Sequence, residues 1–167
     1  RALNSFSGFS PRDVVEKLNM HMYQSTQSNK YLTLFYAVLD PVTDMLSYIN
    51  AGHDRPILVC PGMACPQLLD KGGMVVGMFP NVSYQVGEVR FAAGTELLIY
   101  TDGLSEVLNA AGDEYGDEQL ERTLTRLRGQ GSVEEEKDAI VREVMHFSND
   151  ETVDDLTLLL IRRLADA

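Results

Sequence analysis

The chain has 167 residues and a formal charge of −11, from 14 Lys and Arg against 25 Asp and Glu. That length suits one domain, and 44% apolar residues supply a core, which excludes a disordered tail. A nucleic-acid backbone or an anionic membrane would repel this charge, so neither is expected as main partner, whereas carboxylates gathered around a cation are compatible with it.

Two cysteines are too few for a disulfide scaffold. There is no run of about 18 apolar residues to span a membrane, and no signal-peptide pattern. The sequence starts at Arg1, not Met, and is expected to be part of a longer chain.

Ser10-Pro11 predicts a helix start, with Ser as cap and Pro in the first turn. Val14, Val15, Leu18, Met22 and Tyr23 recur at helical spacing behind it. Tyr31 to Leu39 and Met45 to Asn50 read as two strands of an antiparallel hairpin around Asp40-Pro41-Val42-Thr43-Asp44. Ile57 to Cys60 is a third strand, with Gln67 to Leu69 as its short partner. Met74 to Val76, Tyr84 to Phe91 and Glu96 to Tyr100 follow, the last with a Leu97-Leu98-Ile99 run that reads as buried on both faces. Gly116 to Leu127 is helical, and Ser132-Val133-Glu134-Glu135 is a capping box opening a helix to Phe147. Leu156 to Ile161 is a last buried strand. About eight strands, mostly in local hairpins and with helices in separate blocks, predict an α+β fold with two antiparallel sheets.

Three segments draw attention for chemistry. In Tyr100-Thr101-Asp102-Gly103-Leu104-Ser105-Glu106 a buried strand ends at Asp102, with Gly103 expected to turn the backbone sharply and Glu106 four residues on. The plain alternative is an Asp in a strand-ending turn. In Asp150-Glu151-Thr152-Val153-Asp154-Asp155-Leu156-Thr157 adjacent carboxylates repel unless they are solvated or share a cation. Together these segments offer hard oxygen ligands, which suit Mg2+ or Mn2+ and not Zn2+. In Asn50-Ala51-Gly52-His53 the imidazole is either near a cleft or a structural hydrogen-bonder. Cys60, Cys65 and His53 lack the second ligand pair of a zinc finger.

Thr33 to Asp40, Asn50-Ala51-Gly52-His53, Gly94 to Gly103 with Tyr-Thr-Asp-Gly-Leu-x-Glu, and Asp154-Asp155-Leu156-Thr157-Leu158-Leu159 keep one order and spacing. Together, over about residues 10 to 163, they resemble the SpoIIE/RsbU-like branch of the metal-dependent type 2C (PPM) protein serine/threonine phosphatases.

The resemblance implies an α-β-β-α sandwich of two antiparallel sheets flanked by helices, with residues 1–167 as the C-terminal majority of one phosphatase domain. It implies a binuclear Mn2+ or Mg2+ centre with Asp102 and Asp154 as catalytic metal ligands, and Gly103 letting Asp102 approach the metals. Asp155, Glu106 and His53 would stand outside the ligands. The implied reaction is hydrolysis of phosphoserine or phosphothreonine by a metal-activated water. The implied substrate is a phosphorylated STAS-domain anti-sigma-factor antagonist, in the bacterial cytoplasm, under an upstream sensor or receiver domain. Leu3, Phe6 and Phe9 would pack on that upstream part or on a second subunit, as a homodimer. The resemblance also implies an early Gly-Asp-x-x-Asp strand whose Asp bridges the metals. Residues 1–167 lack it, and the only Asp before residue 40 is Asp13. Either upstream sequence carries this motif, or the fold is an inactive module that binds a regulatory partner.

Overall fold

The structure is a computed structural model and describes residues 10–25, 30–62, 65–149 and 155–165. It divides into two compact units: the chain up to His53 with Leu69–Arg90, and Asp54–Leu68 with the chain from Phe91 onward. Each contains a four-stranded sheet, with one described helix in the first unit and three in the second, so the fold is mixed α+β with two sheets, as the strand and helix blocks predict.

In the first unit, helix α1 spans Pro11–Ser25. The Ser10 hydroxyl accepts from the Asp13 N–H at 3.2 Å and the Asp13 carboxylate accepts from the Ser10 N–H at 3.1 Å, which closes the first turn reciprocally. Strands β1 (Leu34–Asp40) and β2 (Met45–Ala51) form the predicted antiparallel hairpin, with Leu34 opposite Ala51 and Asp40 opposite Met45. β2 also pairs with β5 (Gly72–Gly73) and with β6 (Gly87–Arg90). Val15, Ile49, Ala51, Val76 and Tyr84 form the core of this unit.

Three expectations change here. Tyr23 is exposed, because the inward stripe of α1 runs through Val15 and Asn19. Met74 to Val76 is not a strand; Gly72–Gly73 pairs instead, parallel to β2, and Val76 only bridges Leu32. A Cβ on Gly72 would lie 1.8 Å from the Asn50 carbonyl oxygen, so the pairing requires glycine at that position. Tyr84 to Phe91 pairs only from Gly87, since Tyr84 is spent in the core.

Asn19 is buried in α1 and holds the loop after Val76. Its amide donates to the Phe79 carbonyl at 2.8 Å and its oxygen accepts the buried Gly77 N–H at 2.8 Å. Truncation would leave that N–H without its acceptor, a deficit of about 1–3 kcal/mol. Asn19→Ala is therefore expected to lower the urea midpoint by an amount worth about 2 kcal/mol with an unchanged m-value.

In the second unit, the strand order is β4 (Gln67–Leu68), β3 (Ile57–Val59), β7 (Glu96–Tyr100) and β8 (Leu158–Arg162), antiparallel throughout. Helices α3 (Asp117–Leu127) and α4 (Val133–Phe147) pack on it, burying Leu120, Leu124, Ile140 and Val144 with Ile57, Leu98, Tyr100 and Leu160. The Ser132–Glu135 capping box forms as predicted, which places the start of α4. β8 is not buried on both faces: Leu160 is inside, while Leu159 and Ile161 are 53% and 37% exposed. Among the described residues no helix is long and apolar enough to cross a membrane.

Candidate active site

Everything that β7 delivers arrives at its C-terminal end. The strand buries Leu97, Leu98 and Tyr100 and stops at Thr101, whose extended backbone caps a four-residue helix, α2 (Asp102–Ser105). Asp102 is thus the first residue of a helix, not an Asp in an open turn. Its carboxylate is exposed, and its Oδ1 accepts the Gly103 N–H at 2.9 Å. An acid in the first turn is favoured there by the unpaired N–H groups. Glu106 closes α2 with its N–H on the Asp102 carbonyl at 2.8 Å, and its side chain is exposed.

Gly103 does not make the expected sharp turn. It is helical and needs no left-handed backbone; what it needs is the absence of a side chain. A Cβ there would sit 2.6 Å from the Asp155 carbonyl oxygen and 3.1 Å from its carbon. Thr101 fastens the same crossing. Its N–H donates to the Thr157 carbonyl at 3.0 Å, its hydroxyl accepts the Thr157 N–H at 3.2 Å and donates to the Asp155 carbonyl at 3.3 Å. The Thr-Asp-Gly segment and the backbone at Asp155 are therefore locked together, and Asp155 itself is exposed.

Gly103→Ala sets two effects against each other. Helix propensity favours Ala by about 1 kcal/mol. The clash is with backbone, which cannot rotate away, and overpacking of this kind costs about 1–3 kcal/mol. The clash is expected to win, and the melting temperature falls as the Asp155 segment is pushed off.

Of the remaining predicted residues, Asp154 lies outside the described residues, as do Leu3, Phe6 and Phe9. His53 belongs to the first unit, is half-buried, and donates its backbone N–H to the Asn50 side-chain oxygen at 2.9 Å; the Asn50 amide in turn reaches the Leu69 carbonyl. Among the described residues no three His, Cys, Asp or Glu side chains converge as a metal cage. The donors that are present, the Asp102 and Asp155 carboxylates, are hard oxygens of the kind Mg2+ and Mn2+ take.

One feature at this end has no local sequence signal. The Tyr100 hydroxyl donates to Asp117 Oδ1 at 2.9 Å, and Arg55 Nη2 donates to Asp117 Oδ2 at 3.1 Å. Burial, reinforced by the Asp117 carboxylate, pushes the Tyr100 hydroxyl far up, so it remains a donor. Only the acid after Gly116, at the start of a predicted helix, hinted at Asp117.

A mixed α+β fold with two sheets and helices is that of type 2C phosphatase domains. Over residues 1–164 the sequence matches the family described as Stage II sporulation protein E (SpoIIE), and the chain belongs to that family of serine/threonine phosphatases. It is 31% identical over 134 residues to Protein IcfG of Synechocystis, covering 80% of this chain and 21% of that protein. It is 25% identical to the phosphoserine phosphatase RsbU of Bacillus subtilis, covering 94% of this chain and 46% of that one. The phosphatase domain of SpoIIE from Bacillus subtilis, solved after a manganese soak, superposes with a TM-score of 0.70 at 17% identity, covering 97% of this chain and 70% of that one. The chain thus spans less than half the length of these curated relatives.

Proposed function

We propose that residues 1–167 belong to one metal-dependent phosphatase domain that hydrolyses phosphoserine or phosphothreonine on a STAS-domain regulatory protein of the bacterial cytoplasm. The observation that carries this reading is the lock between Gly103 and the Asp155 backbone, which joins two acidic motifs that electrostatics alone would keep apart. Asp102 and Asp154 would hold Mn2+ or Mg2+, with Asp155, Glu106 and His53 outside them. When bound, these metals supply Lewis acidity that acidifies water and offsets phosphoryl charge. The chain's own part is orientation. The Gly103 N–H fixes one oxygen of Asp102, and Thr101 fixes the strand beside it. The STAS substrate, and a sensor or receiver domain as upstream partner, rest on the family resemblance. The test is Mn2+-dependent phosphate release from a phosphorylated STAS protein by the full-length chain; no release overturns the reading.

A second reading is a non-catalytic module of the same fold that binds a regulatory partner. Partner binding without phosphate release would select this reading.

A further inference from the structure

The end of the second sheet that carries Asp102 also carries a cation. β3 runs antiparallel to β7 with Ile57 opposite Leu98. Extending that register by two residues sets Arg55 level with Tyr100, and by three sets Asp54 level with Thr101. β8 brings Leu158 opposite Tyr100, so Asp155 stands at the same end. Arg55, Asp102 and Asp155 therefore share one rim of one sheet.

Arg55 is held there in an unusual way. An exposed Arg–Asp pair is worth only about 0–1 kcal/mol and normally samples many geometries. Here the Asp is itself pegged, because Asp117 accepts from the hydroxyl of Tyr100, which is 2% exposed in the core. The Arg55 side chain is 50% exposed, with Nη2 on Asp117 and the planar guanidinium offering five donors in all. A core tyrosine thus fixes a surface guanidinium, and a guanidinium fixed in advance loses less entropy when it captures an oxyanion. The surrounding charge makes such a cation useful. The chain carries −11 overall, and Asp102, Glu106 and Asp155 lie at this end of the sheet. An anionic phosphoprotein approaching it is repelled unless a local positive charge compensates.

We infer that Arg55 is a specificity-determining residue, its guanidinium held by Asp117 and Tyr100 to receive an oxyanion of the phosphoprotein substrate beside Asp102. The inference rests on the phosphatase reading above. The oxyanion is either the phosphoryl group or a carboxylate flanking the phosphoserine.

The experiment uses the full-length protein with Mn2+ and three substrates: p-nitrophenyl phosphate, a phosphoserine peptide with acidic flanks and one with neutral flanks. Arg55→Ala is expected to raise KM for the acidic peptide about tenfold, the scale of one charge-assisted hydrogen bond, with kcat unchanged. Tyr100→Phe and Asp117→Asn should give part of the same KM rise, and Arg55→Lys should restore it incompletely. A KM rise confined to the acidic peptide identifies a flanking carboxylate, and one shared by all three substrates identifies the phosphoryl group. Unchanged KM for all three, in a variant with wild-type melting, overturns the inference. If the wild type hydrolyses none of them, the phosphatase reading fails instead. Peptide anisotropy then decides Arg55 separately, with tenfold weaker binding of the acidic peptide by Arg55→Ala in support and unchanged binding against.

Discussion

Arg162→Met is expected to destabilise the protein by about 3–5 kcal/mol, enough to unfold a marginal domain. Arg162 stands between two buried acids. Its Nε donates to Glu96 Oε1 at 2.7 Å, its Nη2 pairs with Glu136 Oε1, and its Nη1 donates to the Gly131 carbonyl at 2.9 Å. Glu96 and Glu136 are 1% and 3% exposed. Removing the Arg162 guanidinium leaves two carboxylates in a low-dielectric site, each repelling the other. Met matches the volume of the Arg stem, so lost packing contributes little and charge accounts for the loss. Chemical denaturation of the variant beside Glu96→Gln/Arg162→Met checks the assignment, since neutralising one acid should recover a large part of the deficit.

The same cluster gives a pH dependence with a definite sign. Two acids share the Arg162 guanidinium, and Glu96 Oε2 and Glu136 Oε2 have no hydrogen-bond partner among the described residues. Burial pushes the Glu96 carboxyl up from its ordinary value of 4.5; Arg162 pulls it down, and repulsion from Glu136 adds to the rise. A folded-state pKa above the unfolded one means that folding takes up a proton. The stabilisation is complete below about 4.5 and is lost as pH rises through the higher folded value. Facing charges come from β8 as Arg162, from α4 as Glu136 and from Arg128 after α3. Glu96→Gln, neutral at every pH, should flatten the decline of melting temperature above pH 4.5 relative to wild type. Parallel curves for the two proteins would show that Glu96 is charged throughout.

Legibility in the sequence followed the range of the interactions. The start of α1 was visible in Ser10-Pro11, and the cap of α4 because Ser132 and Glu135 lie three residues apart. The β1–β2 hairpin was visible because its turn is short. Asp102 stood out through a local motif. What stayed hidden depends on distant partners: β5, where Gly72 meets the Asn50 carbonyl, Arg162 between Glu96 and Glu136, and Tyr100–Asp117–Arg55. β8 misled for a related reason. An apolar run cannot say which face is covered, and Leu159 and Ile161 are exposed on one of them.

Asp102→Asn should remove phosphate release while leaving the fold intact, and the pairing of those outcomes matters more than either alone. Asn has the shape of Asp and its side-chain oxygen can still accept the Gly103 N–H, so α2 keeps its first turn. The charge removed sits exposed beside Asp155, in a chain of −11, so its loss relieves repulsion and does not strand a partner. The metal-free melting temperature is therefore expected to stay level or rise slightly. Under the proposed function, phosphate release is expected to fall by about 10²–10³-fold or more, the scale for losing one preorganised electrostatic group. Thermal stabilisation by Mn2+ should shrink in parallel, since it grows with ligand concentration over Kd. Asp13→Asn is the matched control, because it removes an early acid engaged only at the start of α1 and should cost a little stability and no activity. Equal loss of release in both variants would mean that bulk charge, not a metal ligand at Asp102, governs the reaction.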